Sequence, residues 1–128
     1  MSKKEVPWRE KPAAEDYKAA LAYLSLLMSH PEAQKVIRAL RSARTQAWIA
    51  KDLLRASRLP LSSSDDRHVS SDLKRLNKGK PLSPILLLRG DLTHGDSPLT
   101  IADGYHRICA VCHFNEDAPV RCRIAALE

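Results

Sequence analysis

Between Leu99 and Ala110 the chain reads as an extended segment that turns at a glycine into a helix, and Asp103, Gly104, Tyr105, His106 and Arg107 occupy that turn. A helix N-terminus presents unpaired backbone N–H groups and the positive end of its dipole, so it favours an anion. Arg107 adds a planar set of donors suited to phosphate, and His106 can donate to phosphate or move a proton; the plain alternative is that one of them only pairs with a buried carboxylate or backbone carbonyl. Asp103 suits three roles: orienting His106, accepting a substrate hydroxyl proton, or holding magnesium carried by a nucleotide. An N-cap satisfying helix amides is its plain structural alternative. Gly104 permits a tight turn and close backbone approach to a ligand. Tyr105 either stacks on a base or stands as a half-buried tyrosine.

A second polar group lies upstream. Asp65, Asp66 and His68 sit in a loop before the next apolar helix and are candidate substrate or metal contacts, although Asp66 also suits a helix cap. Lys78 and Lys80 flank Gly79, where they could neutralise phosphates or complement a helix dipole. Cys109, Cys112 and His113 match C-x-x-C-H, the haem-attachment pattern, and Cys122 invites a zinc reading. The helix's apolar stripe makes these thiols core atoms instead, so neither haem nor zinc is expected, and no firm metal site is visible. The loops of Walker-type NTPases, zincins and α/β-hydrolases do not occur in the chain.

The elements around these residues follow from periodicity. The first dozen residues carry two prolines and many charges and read as a loose arm. From about Ala13 to Ser29, Tyr17, Leu21, Leu24 and Met28 recur at helical spacing, with Ala20, Tyr23 and Leu27 widening the stripe. Ser29 and Pro31 cap a second helix to about Ser42, with Ala33, Val36, Ile37 and Leu40 inward. This pair reads as a packing or partner surface rather than a catalytic element. A strand at 45–49 and a helix at 51–57 follow, then a helix with Val69, Leu73 and Leu76 on one face, stopped at Gly79. Ile85 to Leu88 reads as a buried strand, Gly90 to Pro98 as a hairpin loop, 99–102 as its return, 104–114 as a helix, and 119–125 as a last strand.

The motif and its neighbours resemble the ParB/sulfiredoxin-like superfamily. The points of likeness are the strand ending in D-G-x-H-R, the small-residue helix after it, a strand after an E-D-A-P-V turn, and the helix, Gly79, Pro84 and strand that precede the hairpin. They cover Thr45 to Ala125. The resemblance implies an α+β domain with a small mixed sheet at 45–128, preceded here by an arm at 1–12 and a helical hairpin at 13–44. Members include CTP-binding partition proteins, ATP-using sulfiredoxins, a free-serine kinase and proteins described as nucleases, so the fold does not choose the reaction. Sulfiredoxins carry a nucleophilic cysteine where this chain has Tyr105, which sets that branch aside.

The implied ligand is a nucleotide, ATP or CTP with magnesium, or another phosphorylated molecule. If the chain is an enzyme, ATP-dependent phosphoryl transfer is the class, with Asp103 and His106 as catalytic candidates; a nuclease has less support, since no carboxylate cluster for metals is visible. The alternative is a nucleic-acid or protein interaction module without catalysis. The net charge of +6 lies wholly between Ala33 and Arg58, where Lys35, Arg38, Arg41, Arg44, Lys51, Arg55 and Arg58 face Asp52 alone. Arg38, Arg41 and Arg44 are its candidate nucleic-acid contacts. A homo-oligomer is open in either case. With no run of 18 apolar residues and no secretory signal at the start, the expectation is a cytoplasmic protein without a membrane partner.

Overall fold

A computed structural model describes residues 5–90 and 98–126. The order is α1 (Ala14–Leu27), α2 (His30–Ser42), β1 (Gln46–Ile49), α3 (Ala50–Ser57), α4 (Arg67–Asn77), β2 (Ile85–Arg89), β3 (Leu99–Asp103), α5 (Tyr105–Asn115) and β4 (Pro119–Ala126). The class is α+β, with a small mixed sheet of order β1-β4-β2-β3. β4 pairs antiparallel with β1 and parallel with β2, and β2 pairs antiparallel with β3.

Alternation along the strands divides the core. Ile85, Leu87, Leu99, Ile101, Val120 and Cys122 face one side and pack under α3, α4 and α5. Leu86, Leu88, Ala102 and Ala125 face the other side, under α1 and α2. That is the period-two geometry of a sheet buried on both faces, and it explains why β2 is an unbroken apolar run. Fully burying a leucine such as Leu24, Leu40, Leu86 or Leu88 contributes about 1.5–3 kcal/mol. The small residues of α5 have a packing reason as well. Ile108, Cys109, Ala110 and Val111 are all buried, because the helix is enclosed by the sheet on one side and α3 and α4 on the others.

The second helix follows the sequence reading closely: Ser29 caps it, accepting from the Glu32 N–H, and Ala33, Val36, Ile37 and Leu40 are the buried face. In α1 the stripe is narrower than periodicity suggests. Tyr17, Ala20 and Leu24 are buried, but Tyr23 lies on the exposed flank. The N-terminal arm also differs from its reading as a loose segment. Leu82 N–H donates to Pro7 O, Arg9 N–H donates to Leu82 O, and Val6 and Trp8 pack on the core, so residues 5–12 are tied to the segment before β2. The hairpin turn expected between Gly90 and Pro98 lies largely outside the described residues, but its two strands pair as expected and Gly90 N–H donates to Pro98 O at 2.8 Å. Among the described residues, no helix is long and apolar enough to cross a membrane.

Candidate functional site

The end of β3 and the start of α5 are joined by Gly104, whose φ of +111° lies in the region that side chains avoid. A Cβ there would stand 2.5 Å from Ile85 Cδ1 and 3.0 Å from Arg107 Nη2, so only glycine lets the turn close against β2. Gly104 is also the N-cap of α5 and supplies no side chain, which leaves the first-turn amides without a side-chain cap. They border a cleft of about 250 Å³ lined by Asp16, His68, Ser71, Asp72, Asp103, Tyr105, His106 and Arg107 with Gly104.

Two imidazoles stand together in this cleft. The His68 and His106 rings lie 4.8 Å apart, and His106 also meets the Tyr105 ring edge-on at 5.3 Å. Asp66 is the N-cap of α4: its Oδ1 accepts from the His68 N–H at 2.9 Å and the Val69 N–H at 3.1 Å. The same oxygen lies 3.9 Å from His106 Nε2, beyond hydrogen-bond distance, so the residue that starts α4 also stands beside His106. The amide donors, Val69's foremost, keep the Asp66 carboxyl below its usual range. His106 is 41% exposed and can turn to a ligand; Asp65 is exposed and does not line the cleft.

Arg107 departs most from its reading as a phosphate donor. Its Nη1 donates to Ser83 O at 2.6 Å and Pro84 O at 3.4 Å and lies 3.5 Å from Asp16 Oδ2, while its Nη2 donates to Asp103 Oδ2 at 2.5 Å. Four protein acceptors therefore use the guanidinium, which is 13% exposed. The cause is position: one turn into α5, the side chain reaches back past Gly104 to the carbonyls that lead into β2. Asp103 is not the helix cap, because Gly104 holds that position and the Asp103 carboxylate meets Arg107 through Oδ2. Burial pushes Asp103 up to about 6, against the attraction of Arg107 and with added repulsion from Asp16. Burial also raises the Asp72 carboxyl.

Asp16 is the residue that the sequence did not offer. It projects from α1, in the hairpin read as a packing or partner surface, and accepts from the Ser83 hydroxyl and from Ala13 N–H at 3.1 Å. Helix α1 thus supplies one wall of the cleft. The available signal was weak: Asp16 begins a helix, and first-turn acids are common for reasons of dipole alone.

Tyr105 is half-buried and lines the cleft, with its hydroxyl turned to the fold. Its hydroxyl donates to Pro60 O, and burial with Cys109 beside it pushes the phenol up to about 12. Two further residues on the same stripe of α5 hold that loop: Cys109 Sγ accepts from Ser62 N–H at 3.4 Å and His113 Nε2 bonds Ser62 O at 2.7 Å. Cys109 and Cys122 are buried and Cys112 partly so, and burial pushes the Cys112 and Cys122 thiols up to about 11 and 12. Among the described residues, no three His, Cys, Asp or Glu are grouped to hold a metal ion. Lys78 and Lys80 are exposed beyond the far end of α4, about 15 Å of helix from His68, and do not reach the cleft.

The basic segment is not one surface. Helices α2 and α3 pack on opposite faces of the sheet. On α3, Lys51 pairs with Asp117 at 2.7 Å and Arg55 with Asp52 at 3.3 Å. Lys35, Arg38 and Arg41 on α2, and Arg44 just after it, remain exposed, with Arg41 over the Tyr17 ring at 4.2 Å.

No protein-family model, curated protein or solved structure matches the chain.

Proposed function

We propose that the chain is a ParB/sulfiredoxin-like domain whose cleft at the start of α5 binds a phosphorylated ligand, a nucleotide such as ATP or CTP foremost. The observation that carries this reading is the α5 N-terminus, uncapped by any side chain and open to a cleft walled by His68 and His106. Backbone amides and imidazole donors converge there on a space that fits a phosphoryl group. A cleft of about 250 Å³ holds the phosphate end, and the remainder of a nucleotide would extend across its mouth.

The wall chemistry limits which phosphates fit. Asp16, Asp72 and Asp103 outnumber Arg107, so a polyphosphate is better received with magnesium, which would offset part of its charge. If the domain turns its ligand over, ATP-dependent phosphoryl transfer suits these groups. The acceptor oxygen attacks the γ-phosphorus, the bond to the bridging oxygen breaks to release ADP, and the acceptor's proton passes to Asp103. A base near neutrality suits that last step, and Asp103, raised to about 6, has that property. Arg107's part is to hold Asp103 and the turn rather than to grip phosphate.

The competing reading, a nucleic-acid interaction module, draws on the exposed Lys35, Arg38, Arg41 and Arg44 of the α2 layer. The two readings put a phosphate at different places. Titrating inorganic phosphate, then magnesium-ATP, into nitrogen-15-labelled protein separates them: the cleft reading expects saturable shifts of the Tyr105, His106 and Arg107 amides. Shifts confined to α2, or none at all, would overturn it.

A further inference from the structure

Arg107 stands between two carboxylates from different layers. Its Nη2 meets Asp103 at the end of β3, and its Nη1 faces Asp16 on α1. All three side chains are less than one-fifth exposed, at 13% for Arg107, 17% for Asp16 and 18% for Asp103. One guanidinium cannot balance two ionised carboxylates. In a setting this poor in water, the surplus negative charge is relieved most directly by one proton.

Hydrogen bonding decides where that proton sits. Asp16 Oδ2 accepts from the Ser83 hydroxyl and the Ala13 N–H as well as facing Arg107, and donors of that kind stabilise an ionised carboxylate. Among the described residues, Asp103 receives no backbone or hydroxyl donor on its carboxylate; Arg107 and Asp16 are its neighbours. We propose that, on the acid side of neutrality, Asp16 and Asp103 share a single proton carried on Asp103, which makes Asp16 a positioning residue that sets the protonation of the cleft from the N-terminal helix.

The raised Asp103 carboxyl agrees with this geometry, Asp16 being one of its causes after burial. The other charged groups facing the cleft are Asp72 and His68 on α4 and His106 and Arg107 on α5, while Ser83 and Pro84 offer only neutral carbonyls to Arg107. Ionised Asp72 favours the proton on Asp103, and protonated His68 or His106 opposes it. In its consequence the inference rests on the cleft being the phosphate site: below about pH 6 a protonated Asp103 can donate to a phosphate oxygen, and above it the ionised form is the proton acceptor.

The test is carbon-13 carboxyl NMR titration of the whole chain in wild type, Asp16→Asn and Ser83→Ala. Wild-type Asp103 is expected to titrate at about 6. In Asp16→Asn its midpoint falls by at least about one unit, a tenfold loss of proton affinity. In Ser83→Ala, which removes a donor from Asp16, the Asp103 midpoint falls. A role confined to packing would leave the Asp103 midpoint in place, and an unmoved midpoint in folded Asp16→Asn overturns the proposal. If Asp16→Asn does not fold, Ser83→Ala decides in the same way. Inorganic phosphate titrated into the same samples separates the two claims. No phosphate binding with the midpoint shift intact overturns the cleft's ligand and supports the shared proton; binding with no shift does the reverse.

Discussion

Replacing Asp103 by asparagine is expected to make the protein more stable at neutral pH, an effect that a residue kept only for its ion pair with Arg107 would not show. Burial raises the carboxyl from 3.8 to about 6 in the folded chain. The folded state therefore binds the proton more tightly than the unfolded one. Its contribution is fully present below about pH 3.8 and is lost as pH rises through about 6. A difference of about two units, at about 1.4 kcal/mol each, is a loss of about 3 kcal/mol between pH 3 and pH 7.5. The amide introduced by Asp103→Asn mimics the protonated acid at every pH, so the variant keeps what the wild type loses. Urea denaturation of both proteins at half-unit pH intervals measures this directly, because other groups contribute alike to the two curves and cancel in their difference. The difference should be near zero at pH 3 and should grow to about 3 kcal/mol in favour of Asp103→Asn by pH 7.5. Parallel curves, or a variant that loses stability as pH rises, would refute the reasoning.

Three other outcomes follow from the same geometry. Arg107→Ala leaves Asp16 and Asp103 facing each other without their shared cation and should cost about 3–5 kcal/mol in chemical denaturation, so its effect on any ligand must be read against lost stability. Gly104→Ala places a Cβ against Ile85 at a φ of +111° and should destabilise by at least about 1–3 kcal/mol, seen as a lowered Tm. If the α2 layer binds DNA, affinity should fall steeply with salt, and replacing Arg38, Arg41 and Arg44 together should flatten that slope by about two to three units; salt-insensitive binding excludes that surface.

The elements were legible because each has a strong local cause. The face of α2 with Ala33, Val36, Ile37 and Leu40, the Ser29 cap, and the unbroken apolar run of β2 are all short-range patterns, and the structure keeps them. The turn at Gly104 was legible for the same reason. The partners of its side chains were not, because they arrive from distant parts of the chain. Asp16 and Ser83 come from separate layers to surround Arg107, and no spacing within the motif announces them. Pro60, which takes the Tyr105 hydroxyl, lies 45 residues away. Counting charge along the chain likewise could not show that the sheet would come between α2 and α3. His106 and His68 stand out from this pattern: a helix cap, Asp66, and a helix start, Gly104, bring together two of the candidate residues read from the sequence.

In the proposed function the open N-terminus of α5, with His106 and His68, receives a phosphoryl group. Calorimetric titration with ATP, CTP and GTP, each with and without magnesium, on wild type and His106→Ala tests this most directly. His106 is 41% exposed, so the variant should keep the wild-type Tm. The expected result is saturable wild-type binding of at least one nucleotide, strengthened by magnesium and weakened about tenfold or more in His106→Ala, roughly the loss of one charge-assisted hydrogen bond. Wild-type affinity in the variant, or no binding of any of the three by the wild type, would contradict it.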